Sequence, residues 1–192
     1  MSKVQYYCAA TIDGFIADPN DGLDWLLGYD GHYEGDEADA GPMGEGGSYE
    51  PFYEKVGALV SGSTTYEWVL DHLEEWPYAG KPSWILSSRD LRKPDGYEDE
   101  VRIANAPVGE IHDQVLVSAG GRNLWVLGGG NVASQYADAG LLDELLLTVV
   151  PVVLGAGKPL FERALPGPQT LTGTTVFRNG MVELRFGLET SG

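Results

Sequence analysis

Apolar residues along this chain form short runs that alternate with helically spaced ones. Short runs bounded by turn residues predict buried strands, and apolar positions that recur every three or four residues predict helices. The predicted strands cover Val4–Thr11, 57–60, 82–87, 99–104, 124–127 and 145–153. The predicted helices cover 50–56, 64–73, a stretch that begins at Pro107, and 131–140, where Gly140 is the expected C-terminal cap.

The C-terminal segment has a pattern typical of a β-hairpin. Two strand-like runs, 174–178 and 181–186, flank Asn179 and Gly180. This pair readily supplies two positive φ angles, so a type I′ turn is expected. Strands that alternate with helices before this hairpin predict a single α/β domain over residues 1–192. Its sheet is expected to be mixed and mostly parallel, flanked by helices, with an antiparallel C-terminal hairpin.

The least regular part of the chain lies between the first two predicted strands. Residues 28–51 are rich in Gly, Asp, Glu and Tyr, so a long surface loop or flap is expected there. After the second strand, Thr64 and Glu67 have the spacing of a capping box. Thr64 is therefore predicted to cap the next helix.

Composition narrows the classes of function. The chain has 192 residues, 43% of them apolar, which suffices for one domain with a sizeable core. Its 29 acidic and 12 basic residues give a formal charge of −17. A nucleic-acid backbone would be repelled by this charge, so nucleic-acid binding is not expected. An anionic cofactor would have to be held by amides and a few chosen cations.

Cysteine and histidine usage point to an intracellular protein without metal. Cys8 is the single cysteine and lies in an apolar run, so no disulfide is expected and the cytoplasm is the predicted location. The histidines lack ligand spacing, so no metal site is predicted. No apolar run reaches membrane-spanning length, and no membrane interaction is predicted.

Three consecutive glycines, Gly128 to Gly130, separate a predicted strand from a predicted helix. Without β-carbons they can adopt positive φ and let a diphosphate approach the main chain, where helix N-terminal amides attract an anion. A complete dinucleotide fingerprint is absent. A tight turn without a ligand is therefore an equal alternative on these residues alone.

Two further predicted strand exits carry small hydroxyl residues, at 61–65 and 87–89. Ligands of open α/β sheets collect at the carboxyl ends of strands, so the three exits could surround one dinucleotide. Arg89 could then pair with an added ribose phosphate. The alternative treats Thr64 as a helix cap and Ser87 and Ser88 as ordinary turn residues.

The order and spacing of several segments resemble the dihydrofolate reductase superfamily, in particular bacterial proteins similar to the C-terminal reductase domain of the riboflavin-biosynthesis deaminase-reductase. The resemblance covers nearly the whole chain. It is carried by residues 11–17 (TIDGFIA), 23–26 (LDWL), 62–66, 86–89 (LSSR), 127–132, 140–155 and 157–161.

The resemblance implies an NADPH-dependent oxidoreductase that transfers hydride to a pyrimidine, pteridine or similar heterocycle, like the 5-amino-6-(5-phosphoribosylamino)uracil reductases of riboflavin biosynthesis. It places Trp25, as a catalytic residue, beside the reacting ring, and Thr148 beside the substrate. The implied cofactor-binding residues are Ala9, Ile16, Ala17, Gly62, Ser63, Thr65, Ser87, Ser88, Arg89, Gly128, Gly129, Gly130, Asn131 and Val132.

Two departures from the family pattern concern charge and the proton donor. Ser63 stands where the family often has arginine, so Arg89 alone is left for a ribose phosphate; NADPH is still preferred over NADH. Reduction of a C=N or C=O bond also needs a proton at the heteroatom. Glu50 is the predicted catalytic donor, with Asp24 and Asp13 as alternatives, although Asp13 is expected mainly to bind local amides.

Alternatively, the chain is a catalytically silent nucleotide- or flavin-binding protein on the same fold, because a fold can persist after its activity is lost. Under the main hypothesis the partner is a small-molecule substrate. A homodimer is a candidate assembly, since a strand edge near Pro151 and the C-terminal hairpin could pair across a two-fold axis.

Overall fold

The computed structural model describes residues 2–35, 37–39, 41–43 and 47–189, which form ten strands and five helices. The strands are β1 Val4–Thr11, β2 Phe15–Ala17, β3 Val56–Gly62, β4 Ser83–Leu86, β5 Val101–Ala104, β6 Asn123–Gly128, β7 Glu144–Val150, β8 Lys158–Pro159, β9 Thr170–Val176 and β10 Val182–Gly187. The helices are α1 Asp24–Leu27, α2 Tyr49–Tyr53, α3 Ser63–His72, α4 Val108–Ser118 and α5 Gly130–Asp138. None of these five helices is long and apolar enough to cross a bilayer.

Eight strands form one sheet in the order β5-β4-β3-β6-β1-β7-β10-β9. Neighbouring strands from β5 to β7 are parallel, and β10 and β9 continue the sheet antiparallel. Strands β2 and β8 pair separately. This confirms the predicted mostly parallel sheet with an antiparallel C-terminal hairpin.

Side-chain alternation along the strands builds a core on each face of the sheet. On β1, Tyr6 belongs to one core and Tyr7 to the other. The first core joins the sheet to α4 and α5 through Val115, Val132 and Tyr136, and the second joins it to α2 and α3. Burial of each such apolar side chain contributes about 1.5–3 kcal/mol. Central strands covered on both faces explain the continuous apolar runs in the sequence.

The predicted C-terminal cap of α5 is confirmed. Gly140 has a φ of 66°. Its N–H donates to the Ala137 carbonyl at 3.0 Å, and the Leu141 N–H donates to the Tyr136 carbonyl at 2.9 Å. These two bonds form a Schellman motif, which needs a residue in the left-handed conformation, and glycine adopts it at least cost.

The predicted capping box at Thr64 is wrong. Helix α3 begins one residue earlier, Gly62 is its N-cap, and no side chain caps it. The Glu67 carboxylate binds the Arg89 guanidinium instead of a helix amide. The first amides of α3 are therefore left without a side-chain acceptor.

The predicted type I′ turn is also wrong. Gly180 has a φ of 85°, but Asn179 does not, since Asp21 is the only non-glycine residue in the described ranges with a positive φ. The Gly180 N–H donates to the Phe177 carbonyl at 2.8 Å, and the Phe177 N–H donates to the Met181 carbonyl at 2.9 Å. This is a three-residue loop with glycine in the left-handed position.

The expected long loop is present in the described part of residues 28–51, and its last residues begin α2. The predicted helix 50–56 is too long, because Val56 already belongs to β3. The loop is attached to the C-terminal hairpin, where the Asp39 N–H donates to the Val176 carbonyl at 2.8 Å. The hairpin thus determines where this loop lies.

Strand β3 approaches the turn after α4 so closely at Gly57 that a side chain has no room. An added Cβ would lie 2.0 Å from the Ala119 carbonyl oxygen and 2.7 Å from the Arg122 Cβ. We expect Gly57→Ala to lower the free energy of unfolding by about 1–3 kcal/mol, because backbone must shift to admit the methyl group. Urea denaturation followed by circular dichroism measures the change.

Gly109→Ala is the matched control. Gly109 lies in the first turn of α4, and an added Cβ would meet nothing within 4 Å. This substitution should leave stability unchanged or raise it by up to about 1 kcal/mol, since alanine favours the helix. Equal effects of the two substitutions would contradict the close approach at Gly57.

Candidate functional site

A cleft of about 980 Å³ lies at the carboxyl ends of β1, β3 and β6. Parallel strands end at the same edge of a sheet, and here Ser61 near the end of β3 pairs with Gly128 at the end of β6. Most of the residues assigned to the cofactor from the sequence meet in this cleft. Those that line it are Ala9, Ile16, Ala17, Gly62, Ser63, Thr65, Gly128, Gly129, Gly130, Asn131 and Val132, together with Thr148 of the expected substrate pocket.

The glycine turn presents bare backbone to the cleft. Gly128 has a φ of 150°, a conformation that side chains rarely adopt. At Gly129 an added Cβ would lie 3.7 Å from the Thr65 Oγ1 and 3.9 Å from the Ile16 Cδ1, both of which belong to lining residues. The missing side chain at Gly129 therefore leaves space that a ligand can use.

Two helices begin at this cleft without a side-chain cap. Their N-caps are Gly62 for α3 and Gly129 for α5, and neither helix has a capping side-chain hydrogen bond. The residues of both first turns line the cleft. A helix N-terminus carries roughly half a positive charge and unpaired N–H groups. The two termini together can bind a diphosphate, so the site fits a dinucleotide.

The end of β4, the third of the predicted strand exits, contributes fewer residues to the cleft than the sequence predicts. Leu86 lines the cleft, but Ser87, Ser88 and Arg89 are not among the lining residues. The Arg89 guanidinium instead forms a two-pronged ion pair with Glu67, at 2.6 and 3.0 Å. The guanidinium expected to bind a ribose phosphate is therefore already paired with a carboxylate of α3.

Trp25 lies behind the cleft. Its ring packs against the cluster of Val150, Phe177 and Met181, and its indole nitrogen is buried without a hydrogen-bond partner. The neighbouring Leu26 lines the cleft while Trp25 does not. The described geometry thus gives Trp25 a packing role.

The acidic residues considered as proton donors also lie elsewhere. Glu50 is exposed on α2, Asp24 is exposed on α1, and neither lines the cleft. The Asp13 carboxylate accepts hydrogen bonds from the Thr11 hydroxyl and the Gly155 N–H, at 2.6 and 2.7 Å. These bonds lower the pKa of Asp13, the one from Thr11 most. Asp13 therefore binds backbone amides as expected, but those amides belong to Leu154 and Gly155, far away in the chain, and only its Thr11 partner is local.

A buried carboxylate that the sequence did not reveal stands behind the wall of the cleft. Glu183 on β10 is 1% exposed. It accepts a hydrogen bond from the Ser48 hydroxyl at 2.7 Å and is paired with the Arg185 guanidinium at 2.7 Å. The Ser48 hydroxyl is also 3.3 Å from the Tyr7 hydroxyl, and Tyr7 lines the cleft. Hydroxyl groups thus connect Glu183 to the cleft.

The Tyr7 hydroxyl is protonated near neutral pH. Burial raises the pKa of Tyr7, the hydrogen bond with Ser48 lowers it, and the Glu183 carboxylate raises it. The Thr148 hydroxyl also lowers this pKa. Because the net shift is upward from 10.0, Tyr7 keeps its proton over the physiological range.

The family follows from comparison with known proteins. The family model of the RibD C-terminal domain matches residues 80–182. The chain belongs to the RibD C-terminal domain family. The fold is the dihydrofolate-reductase-like fold of RibD-type reductases, as the sequence resemblance implied.

Relatives of this RibD-type domain span almost its whole length. The uncharacterized protein YwjB of Bacillus subtilis (strain 168) is 32% identical over 161 residues, 83% of each chain. A solved structure from Shewanella sp. PV-4, named for riboflavin biosynthesis, is 28% identical with a TM-score of 0.75 and covers 98% of this chain and 99% of that one. The diaminohydroxyphosphoribosylaminopyrimidine deaminase/5-amino-6-(5-phosphoribosylamino)uracil reductase of Thermotoga maritima shares the fold, at 14% identity and a TM-score of 0.66, over 98% of this chain and 57% of that one.

Few charges face the cleft of this RibD-type domain. Among its described lining residues, the charged ones are Asp21, Lys158 and Glu162. The Lys158 ammonium lies 3.4 Å from the Asp21 carboxylate, and the Glu162 carboxylate accepts a hydrogen bond from the Asn131 amide. No group of three or more His, Cys, Asp or Glu residues able to hold a metal occurs within the described ranges.

Cys8 lines the cleft, yet its thiol should react slowly. Burial raises the pKa of Cys8 from 9.0 to about 12, so at pH 8 the thiolate is about 1,000-fold scarcer than for an ordinary cysteine. We expect the reaction with Ellman's reagent to be slower by about 30-fold, because the more basic thiolate is also about 30-fold more nucleophilic and so offsets part of this loss. The rate should rise about tenfold per pH unit from pH 8 to 10, because the thiolate population still grows in proportion to hydroxide.

The same reaction in denaturant, where the thiol is exposed, is the reference, and Cys8→Ser measures the background. A rate that levels off between pH 8 and 10 would contradict the raised pKa.

Proposed function

We propose that this protein is an NADPH-dependent reductase that transfers hydride to a pyrimidine, pteridine or similar heterocycle. The observation that carries the proposal is the pair of uncapped helix N-termini that meet bare glycine backbone in a cleft at the carboxyl edge of the sheet. Membership of the RibD C-terminal domain family supports the same reaction class.

The residues present fit a pyridine dinucleotide. First-turn amides of α3 and α5 and the hydroxyls of Ser63 and Thr65 would bind the diphosphate. Ala9, Ile16 and Ala17 would flank the nicotinamide. When bound, the reduced nicotinamide supplies a hydride to the substrate.

NADPH is the proposed cofactor, with NADH bound less tightly. Arg89 is the proposed contact to the ribose phosphate, with Ser87 and Ser88 beside it. Arg89 must exchange its partner Glu67 for this role, and the two side chains are 56% and 40% exposed. Exposed ion pairs contribute only about 0.2–1 kcal/mol, so the exchange costs little.

Tyr7 is the proposed proton donor. The Tyr7 hydroxyl would give its proton to the heteroatom of a C=N or C=O bond whose carbon accepts the hydride. Solvent replaces that proton through the half-buried Ser48 hydroxyl. Glu183 is a positioning residue, because its carboxylate accepts the Ser48 hydrogen bond and so orients this hydroxyl. Thr148 lies beside Tyr7 in the same cleft.

Cofactor binding is the first test. NADPH at a hundred times its Kd should add about 2.7 kcal/mol to the free energy of unfolding. For a domain of this size we expect a rise in melting temperature of about 5–10 °C. Gly129→Ala should weaken NADPH binding at least about tenfold with an unchanged melting temperature of the free protein, because its methyl group stands in the cleft without meeting backbone.

Gly109→Ala is the control for this measurement, since that residue is exposed and lies outside the cleft. It should bind NADPH like the wild type. The absence of a shift with millimolar NADPH or NADH would overturn the proposed function.

The proton donor is tested by Tyr7→Phe. Loss of a general acid typically lowers the rate by about 10²–10⁴-fold. We expect NADPH to bind Tyr7→Phe normally while its oxidation, followed at 340 nm with pterins, folates and flavin precursors, slows by at least about a hundredfold. Tyr53→Phe is the control, because Tyr53 belongs to the same aromatic cluster but its hydroxyl faces the Pro77 carbonyl.

Equal rates for the two variants would remove Tyr7 from the reaction. Tight NADPH binding by the wild type, with no oxidation across the whole panel, would instead indicate the catalytically silent binder.

A further inference from the structure

The cleft has two chemically different ends. At one end stand the glycine turn and the helix N-termini, where backbone amides gather. The other end has aromatic and apolar walls from Tyr7, Tyr49, Trp125 and Met181, with the Thr148 hydroxyl among them. Flat rings of this kind bind planar ligands by offset or edge-on stacking. Under the proposed function, this second end receives the substrate.

No cation of the described part of the chain lines the aromatic end. The chain has 12 lysines and arginines, and Lys158 is the only one in the described ranges that lines the cleft. The residues outside those ranges include no Lys, Arg or His. Lys158 itself belongs to β8, pairs with Asp21 and lies where Gly130 meets that strand. None of the described histidines lines the cleft.

Among the described residues of this end, the first amide of helix α2 does not replace these cations either. Helix α2 begins at the aromatic end, but the Tyr49 N–H already donates to the Pro42 carbonyl at 2.9 Å. The buried charge behind this wall is negative, because Glu183 connects through Ser48 to Tyr7. Arg185, the cation nearest to it, is held by Glu183 at 2.7 Å. A phosphate here would lose its hydration and face a carboxylate without compensation.

From this charge distribution we infer that the second ligand of the cleft is an uncharged planar heterocycle that carries no phosphate. The inference rests on the proposed function for the location of the cofactor. It sets this chain apart from the Thermotoga maritima protein, whose name specifies a phosphoribosyl substrate. Hydroxyls of Tyr7 and Thr148 can donate to or accept from ring nitrogen and carbonyl groups, so the ring edge has neutral partners.

The test compares ligands that differ only in a phosphate. Riboflavin and FMN share one ring system, as do 5-amino-6-ribitylaminouracil and its 5′-phosphate. Each pair is titrated into protein saturated with NADP⁺, with binding read from tryptophan quenching and calorimetry. We expect at least one phosphate-free member to bind, at least about tenfold more tightly than its phosphate, with an affinity that is insensitive to salt.

An arginine introduced at the cleft tests whether the preference for phosphate-free ligands depends on charge. Leu27 lines the cleft, is 68% exposed, and follows Leu26, which packs against the Met181 cluster. Leu27→Arg should raise the affinity of the phosphorylated ligand at least about fivefold and leave its phosphate-free partner unchanged. Leu27→Gln, of similar length but uncharged, should change neither affinity.

Equal or tighter binding of either phosphorylated ligand by the wild type would overturn the inference. So would a failure of all four compounds to bind. The titrations are repeated without NADP⁺, and the melting temperature is measured with NADPH alone. An absent NADPH shift counts against the proposed function, whereas the ligand pairs report separately on the charge of the aromatic end.

Discussion

The parallel register between β3 and β6 is the constraint on which the cleft depends. Val60 faces Val126, and after an irregularity that takes in one extra residue of β6, Ser61 faces Gly128. Both valines are fully buried, and burial of each contributes about 1.5–3 kcal/mol. A slip of β3 by one residue would turn Val60 to the opposite face, away from Val126. Core packing thus sets where the two chain segments leave the sheet, and both helix N-termini follow from that position.

The three glycines show how far sequence reasoning reaches. Their place between a strand and a helix is evident from the pattern, but they serve different purposes. Gly128 supports a positive φ, Gly129 leaves room in the cleft, and a Cβ on Gly130 would lie 2.4 Å from the Pro159 carbonyl oxygen. That last contact joins residues distant in the chain, so the local sequence pattern does not predict it.

Long-range partners also explain which site residues the sequence could not place. Arg89 has the chemistry of a phosphate ligand, yet its partner Glu67 lies 22 residues away and is met only in the fold. Glu183 alternates with apolar residues along β10 like an ordinary surface carboxylate. Its burial and its hydrogen bond from Ser48 arise only in the tertiary structure, so the sequence does not reveal them. Most of the strands and helices and the class of the sheet, by contrast, follow from local periodicity and were predicted, whereas the strand order was not.

The loop before α2 takes its position from the C-terminal hairpin. Asp39 bridges to Phe177, and Ser48 is bonded to Glu183. Pro42 and Met43, which lie between those two attachments, form part of the cleft wall. The hairpin therefore determines the position of this wall. None of the β9 residues lines the cleft, and we expect sequence changes in that strand to alter ligand selectivity by moving this wall.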